Sequence, residues 1–241
     1  MGKVAVLAAR KSLTVQYGLL YNVLMYFKSR AEAGVKLAEL LMPKYGTENV
    51  VVLALSQAGV AVGYQIAVNL HAALRRLPMR AIHIDDESVD YATVMPGGVV
   101  SMSPDLTESE QQYYYSEYSG WLENEIRTAT LEIDKSIGTD EISPENMRGY
   151  NVILTDDTLA NPTKLTAVID WLKPVRIESL ILACPIITVS ALDRAHVLMN
   201  DLYILSVVPN YFGADHYYDI NDKPDATMAR HMIDSTILGW R

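Results

Sequence analysis

The sequence predicts an α/β fold in which a mainly parallel central sheet carries helices on both faces. Apolar, β-branched runs alternate along the chain with segments whose apolar residues recur at helical spacing. The runs are continuously apolar, as expected of strands buried on both faces of a parallel sheet. Half of the 241 residues are hydrophobic and a fifth are charged, which suffices for one sizeable core.

The predicted elements follow one another in a regular order within one domain over residues 1–241. A helical region within residues 1–45, running from about Ser12 to Leu41, precedes a core over residues 46–241 that ends in a small C-terminal hood. Thr107 begins a long helix, because Glu110 three residues later completes a capping box. Strands are predicted near residues 50–55, 80–84, 151–155, 178–186 and 202–208, and further helices near 60–74, 162–172, 191–199 and 225–238.

Charge and cysteine content narrow the classes of function. The formal net charge is −9 and the pI about 5.0, which disfavours nucleic acid as a partner because that binding needs a cationic surface. The single cysteine, Cys184, excludes an internal disulfide and fits a reducing cytoplasm. The uncharged run Ser12–Phe27 is too short to span a membrane, so no membrane partner is expected.

The stretch Asn151–Asp170 carries the clearest functional pattern. A buried strand ends at Thr155, Asp156 and Asp157 follow directly, and Asn161-Pro162 then suits the start of a helix. Ligands of open α/β sheets bind at the carboxyl ends of the strands, where these two acids are expected to lie. The alternative is that Asp157 only orders the turn while Asp156 is solvated.

Several motifs in a shared order resemble those of the type I phosphoribosyltransferases, in particular the small bacterial and archaeal proteins predicted to have that activity. The most specific is VILTDDTLANPT, which resembles the family signature V-x-V-D-D-G-x-A-T-G-x-T. The resemblance covers roughly Lys28 to Leu238, and its motifs lie at Ser29–Gly34, Leu53–Val60, Met95–Gly98, Val152–Thr163 and Tyr211–Asp219.

The resemblance implies a role for each loop. Asp156 and Asp157 would hold the ribose hydroxyls of phosphoribosyl pyrophosphate. Mg²⁺ is the cofactor considered, because carboxylates together with substrate phosphates are its usual partners and it would offset part of the negative charge of the acidic loops. The start of the following helix would hold the 5′-phosphate, since a helix N-terminus offers free N–H groups. These phosphate residues are Leu159, Ala160, Asn161, Thr163 and Lys164, and the pyrophosphate loop consists of Ser56, Gln57, Ala58 and Gly59.

The sequence departs from the family pattern in the loops that are expected to bind the substrate. Gln57-Ala58 replaces the family's Arg-Gly, Pro162 removes an amide donor, and the second loop at residues 83–87 is acidic where the subgroup has a basic residue. Losing two or three hydrogen bonds to charged groups costs about 3–9 kcal/mol. We therefore expect a ribose-phosphate or nucleotide ligand, with transfer to a nitrogen base weak or lost. A non-catalytic binding or regulatory protein and an active transferase with unusual loops are the alternatives, and no catalytic residue is assigned.

Two further expectations concern partners and metals. The apolar segment Leu19–Phe27 and the tyrosine-rich helix around Tyr113–Tyr118 predict a homodimer. His216 with Asp215 and Asp219 lacks a recognised metal-ligand spacing, so no metal site is assigned to protein residues alone.

Overall fold

The computed structural model describes residues 16–17, 26–84, 89–137 and 142–238. Its strands are β1 (Gln16–Tyr17), β2 (Val50–Ala54), β3 (Ala73–Arg76), β4 (Arg80–Ile84), β5 (Val89–Met95), β6 (Val99–Met102), β7 (Asn151–Thr155), β8 (Thr158–Leu159), β9 (Ser179–Thr188) and β10 (Asp201–Val208). Its α-helices are α1 (Arg30–Tyr45), α2 (Gly59–Leu70), α3 (Glu108–Ile137), α4 (Thr163–Leu172), α5 (Val189–Leu198) and α6 (Ala226–Leu238).

The main sheet is parallel throughout and has the strand order β1-β10-β9-β7-β2-β3, with β8 paired to β9. Its central strands β2 and β7 are buried at every position. The predicted α/β class and the mainly parallel sheet are therefore confirmed.

Helices cover both faces of this sheet, as the continuous apolar strands predicted. Helices α4 and α5 pack with Leu53, Leu154 and Leu182 on one face, around the fully buried Trp171. Helices α1, α2 and α6 pack with Val52, Ile153 and Ile181 on the other face. Neighbouring residues of one strand thus serve opposite cores, which fixes the register of each strand.

A second sheet, antiparallel in the order β4-β5-β6, lies apart from the first and packs against α3. Its tight turn passes through Gly97 and Gly98, whose φ values of 76° and 72° favour glycine. The capping box of α3 is present, because the Glu110 amide donates to Thr107 Oγ1 at 3.3 Å and the Thr107 amide to Glu110 Oε2 at 2.8 Å.

The prediction that residues 80–84 form a strand of the main sheet is wrong. Those residues pair antiparallel with β5, and the edge position of the main sheet belongs to β3. The helix predicted over 60–74 also ends early, at Leu70, because the next residue, His71, adopts the left-handed conformation with φ of 56°. The amides of His71 and Ala72 then donate to the carbonyls of Val68 and Ala67 and close the last turn of the helix.

The N-terminal helix does not run unbroken from Ser12 as predicted. Helix α1 begins at Arg30, where the Ser29 hydroxyl caps it by accepting from the Glu32 amide at 3.1 Å. Phe27 instead bridges to Tyr218, and Gln16–Tyr17 form a short strand beside β10. The rest of Ser12–Met25, including most of the segment proposed for dimerisation, lies outside the described residues.

Cys184 is fully buried, as its apolar run predicted. Within the parts of the chain that the structure describes, we find no helix with the length and apolar character needed to cross a membrane.

Candidate functional site

A cleft of about 360 Å³ opens at the carboxyl ends of β2 and β7. The loop after β2 brings Ser56, Gln57 and Ala58 to it, and the loop after β7 brings Asp156 and Asp157. The two loops meet at this edge of the sheet, as expected from the sequence. Their meeting follows from parallel pairing, in which Ala54 lies directly beside Thr155.

Asp156 is fully buried and its carboxylate is held from two sides. Its Oδ2 accepts from Lys164 Nζ at 2.9 Å, while its Oδ1 accepts from the Ser56 hydroxyl and from the Asp157 amide. Burial alone would lower the pKa of Lys164, but the charge and hydrogen bond of Asp156 outweigh it and raise that pKa. Lys164 is therefore a cation at neutral pH whose position is fixed by Asp156.

Asp157 is paired with a residue from the far end of the chain. Its Oδ2 accepts from Arg30 Nε at 2.9 Å, and its Oδ1 accepts from the Thr158 amide at 3.0 Å. The pKa of Asp157 is raised to about 6, mainly because the carboxyl is buried and also because the negative charge of Asp156 is near. The ion pair with Arg30 acts in the opposite direction and lowers this pKa. The alternative is therefore wrong for Asp156, which is fully buried and not solvated. For Asp157 it is incomplete, because this residue bonds to the Thr158 amide in the turn and is also paired with Arg30.

Arg30 is a site residue that sequence reasoning missed. Its side chain is 1% exposed and also donates to Asp215 Oδ1 at 2.5 Å and to Asn221 Oδ1 at 3.2 Å. The guanidinium carbon lies 4.6 Å from the centre of the Tyr218 ring. Arg30 therefore joins α1, the Asp157 loop and the C-terminal segment 211–222. The sequence did place Arg30 within the Ser29–Gly34 motif of the family resemblance, but no role was assigned to that motif.

The start of α4 differs from a simple phosphate cradle. Asn161 Oδ1 accepts from the Thr163 amide at 2.8 Å and from its hydroxyl at 2.6 Å, so the side chain of Asn161 caps the helix behind Pro162. Of the residues expected to hold phosphate, Ala160, Asn161 and Lys164 line the cleft. Leu159 instead belongs to the apolar core and Thr163 is largely buried.

The loop after β2 is packed tightly against the acids. The Ser56 hydroxyl accepts from the Gly59 amide at 2.9 Å, and a side chain at Gly59 would meet Asp156 Cα and Oδ1 at 2.9 Å. Gln57 Nε2 donates to the Pro224 carbonyl at 2.8 Å. The position where the family carries arginine therefore forms a neutral contact to the segment before α6.

The acidic second loop lies partly outside the described residues, which omit 85–88. Next to this gap, Asp90 Oδ1 lies 3.0 Å from His83 Nδ1, and its Oδ2 accepts from Asn161 Nδ2 at 3.3 Å. In the described ranges, no group of three or more His, Cys, Asp and Glu side chains is arranged to hold a metal.

The C-terminal segment completes the cleft. Tyr211 lies with its hydroxyl 3.1 Å from Thr158 Oγ1, and Tyr218 donates to the Asp157 carbonyl at 2.7 Å. Lys223 is a second cation at the cleft wall that sequence reasoning did not assign. The C-terminal hood expected from the sequence therefore contacts the loop that carries the two acids, through its aromatic residues Tyr211 and Tyr218.

The parallel sheet, the helices on both faces and the acidic loop leading into α4 form the α/β architecture that the sequence resemblance to the type I phosphoribosyltransferases led us to expect. No family model matches the chain. The structure resembles that of TT1426 from Thermus thermophilus, with a TM-score of 0.68 and 22% identity over 87% of this chain and 98% of that one.

Other likenesses are weaker. A hypoxanthine phosphoribosyltransferase from Staphylococcus aureus has a TM-score of 0.46 and 14% identity over 80% of each chain. A hypothetical protein from Neisseria gonorrhoeae with bound ppGpp has a TM-score of 0.45 and 12% identity over 88% of this chain and 96% of that one. At 22% identity the likeness to TT1426 concerns the fold alone, and we draw no conclusion from the two weaker ones.

Proposed function

We propose that the cleft binds a ribose phosphate or nucleotide, and that pyrophosphate-dependent transfer of the sugar to a nitrogen base is weak or lost. The observation that carries the proposal is the position of Lys164 in the first turn of α4, 2.9 Å from the buried Asp156. A lysine ammonium has three N–H donors, so Lys164 can hold Asp156 and a phosphate oxygen at once. The phosphate then lies next to the two acids that face the sugar.

The acids retain capacity for sugar hydroxyls despite their ion pairs. A carboxylate offers about four lone-pair sites, and Asp157 uses two of them on Arg30 and the Thr158 amide. The side chain of Lys164 is 33% exposed, so a phosphate reaches it from solvent without opening the core. Lys223 adds a further positive charge at the wall of the same cleft, which Arg30 also lines.

Pyrophosphate is the part of a phosphoribosyl pyrophosphate substrate that this cleft serves poorly. Gln57 supplies no charge and its amide is engaged with Pro224, while Pro162 has no N–H at the start of α4. Two missing hydrogen bonds to a charged group correspond to about 3–6 kcal/mol, or roughly two to four powers of ten in affinity. Arg30 does not replace the missing cation, because three carboxylates already surround it.

Asp156 and Asp157, arranged in this way, do not fit the direct coordination of Mg²⁺. Each oxygen of Asp156 and Asp157 already accepts a hydrogen bond from a protein donor, and two of those donors are the cations Lys164 and Arg30. The remaining lone pairs suit neutral hydroxyls, whereas a divalent cation bound to them would lie against the charges of Lys164 and Arg30, which repel it. The proposal therefore assigns Mg²⁺ no role at the carboxylates.

Calorimetric titration with ribose 5-phosphate tests the proposed ligand. The Lys164→Gln variant should bind it about tenfold or more weakly, because a charged hydrogen bond to phosphate is lost. Lys173→Gln is the matched control, since Lys173 directly follows α4 and its 70% exposed side chain pairs with Asp170. Equal affinity of the Lys164→Gln variant and the wild type would show that the phosphate binds elsewhere.

The catalytic half of the proposal needs a separate assay. The wild type is mixed with phosphoribosyl pyrophosphate, Mg²⁺ and a panel of nitrogen bases, and the release of pyrophosphate is followed. We expect binding without appreciable release. Robust release of pyrophosphate would identify an active transferase with unusual loops. If the protein binds neither ribose 5-phosphate nor a nucleotide, the ligand half of the proposal is wrong and the fold serves another function.

A further inference from the structure

A second pocket, of about 340 Å³, belongs to the antiparallel sheet and not to the main one. It opens between the strands β5 and β6 and the first turns of α3, and it shares no lining residue with the cleft. Its volume lies at the lower end of the range of small-molecule sites. We call it the tyrosine pocket, and its lining residues are Tyr91, Met102, Glu108, Gln111, Gln112 and Tyr115.

Tyr91 gives the tyrosine pocket a polar group that has no protein partner. The residue is only 5% exposed, yet none of the residues that the structure describes forms a hydrogen bond with its hydroxyl. Burial raises the pKa of Tyr91. The pKa of Tyr115 is also raised, mainly by its hydrogen bond to Glu123 and to a small extent by the neighbouring Tyr91. Buried tyrosine hydroxyls usually find a partner, and a ligand in the pocket would supply it.

The charge around the tyrosine pocket is negative. Glu108 is the charged residue among the described ones that line it. Between Arg80 and Arg127 the sequence contains ten Asp and Glu residues and no Lys or Arg, and both strands and the part of α3 that form the pocket lie in this stretch. Residues 85–88, which the structure does not describe, belong to the same stretch and contain acids but no cation. A region of such charge attracts cations.

The start of α3 does not reverse this charge, although the positive end of a helix generally favours anions. Two of its first amides already have partners, since the Glu110 amide donates to Thr107 Oγ1 and the Gln111 amide to the Thr107 carbonyl. Glu108 and Glu110, both in the first turn, are themselves the anions that the helix dipole favours. The pocket therefore suits a cation.

We propose that the tyrosine pocket binds a guanidinium group, carried either by a small molecule or by an arginine side chain of a peptide. A guanidinium is planar, weakly hydrated and rich in N–H donors, so it suits a pocket that combines acceptors with an aromatic ring. Glu108 and the Tyr91 hydroxyl are acceptors of this pocket. The side-chain nitrogen of Gln111 donates to a main-chain carbonyl at 3.1 Å, which leaves its oxygen as a third acceptor. Tyr115, 48% exposed, supplies a ring on which the guanidinium plane stacks.

Calorimetric titration with ethylguanidinium at constant ionic strength tests the proposal. The wild type should bind it at least about threefold more tightly than ethylammonium, which has the same charge but lacks the planar fork of donors. Glu108→Gln should weaken the binding of ethylguanidinium about tenfold, because a hydrogen bond between charged groups is lost. The matched control is Glu117→Gln, which removes the same charge at an exposed position of α3 outside the pocket. It should change the affinity by less than about twofold, since salt screens the more distant charge.

The Tyr91→Phe variant distinguishes a ligand contact from a structural role. It should weaken the binding of ethylguanidinium about threefold or more, because one hydrogen bond to the ligand is lost. Its melting temperature should not fall, since no described residue bonds to the Tyr91 hydroxyl. Tighter binding of a peptide with one arginine than of ethylguanidinium would identify a peptide as the source of the group, and weaker binding a small molecule.

Three results overturn the proposal: no binding of ethylguanidinium to the wild type, equal binding of ethylammonium, or equal weakening by Glu108→Gln and Glu117→Gln. None of them affects the proposal for the cleft, because the cleft shares no lining residue with the tyrosine pocket.

Discussion

Replacing Arg30 by methionine tests whether the buried ion pair stabilises the fold as the geometry indicates. The variant keeps most of the apolar stem but leaves Asp157, only 5% exposed, without its 2.9 Å partner. Breaking a buried ion pair from one side costs about 3–5 kcal/mol, because the remaining charge is desolvated and unpaired. The contact to Asp215 adds little, since that side chain is 68% exposed.

The free energy of unfolding is measured by urea denaturation at pH 7. Arg30→Met should lower it by about 3–5 kcal/mol, whereas Arg148→Met, at an exposed position, should change it by no more than about 0.5 kcal/mol. The double variant Arg30→Met/Asp157→Asn should recover part of the loss, because removing both charges leaves no unpaired buried ion. A loss below about 1 kcal/mol for Arg30→Met would refute the reasoning, since it would mean that Asp157 is either neutral or hydrated without Arg30.

Two further predictions concern the same loops. The folded-state pKa of Asp157, about 6, lies above its unfolded value near 3.9, so its contribution to stability is full below about pH 4 and is lost as the pH rises through 6. The free energy of unfolding of the wild type should therefore fall by about 2 kcal/mol relative to Asp157→Asn between pH 4 and 7, and parallel pH profiles in denaturation experiments would contradict this. Gly59→Ala places a methyl group 2.9 Å from Asp156 and should cost about 1–3 kcal/mol by overpacking. Gly120→Ala, in open space on α3, should instead be stabilising by up to about 1 kcal/mol, and similar thermal shifts for both variants would show that the Gly59 contact relaxes.

The main architecture was predictable because its signals are strong and local. Continuous β-branched runs identify β2, β7, β9 and β10, and the capping box identifies the start of α3. The edge strand β3 was missed because it is only four residues long and ends in two arginines, which resemble a helix end. Once β3 was missed, β4 was the remaining candidate for the edge of the sheet, and nothing local showed that it pairs antiparallel with β5.

The site was predicted in part. Adjacent acids after a buried strand pointed to the carboxyl edge of the sheet, and the structure brings Asp156 and Asp157 together with Ser56 there. The ion pairs could not be predicted, because Arg30 and Asp157 are 127 residues apart and no local pattern links them. The prediction of a homodimer remains a prediction. Tyr113, Tyr115 and Trp121 are exposed on α3, and light scattering at micromolar concentration is the measurement that tests it.

The long-range pairing of Arg30 has a consequence for synthesis on the ribosome. Asp157 follows Arg30 by 127 residues and Asp215 by 185, and the Arg30 amide bonds to Asp222, 192 residues away. Until those acids emerge, burying the guanidinium has no compensating partner, so the first turn of α1 stays open to water while β2 and α2 are already made. The two walls of the cleft therefore close only after residue 222 has left the exit tunnel. A stalled chain that has emerged beyond β10 but not as far as residue 222 should carry the sheet without its binding site.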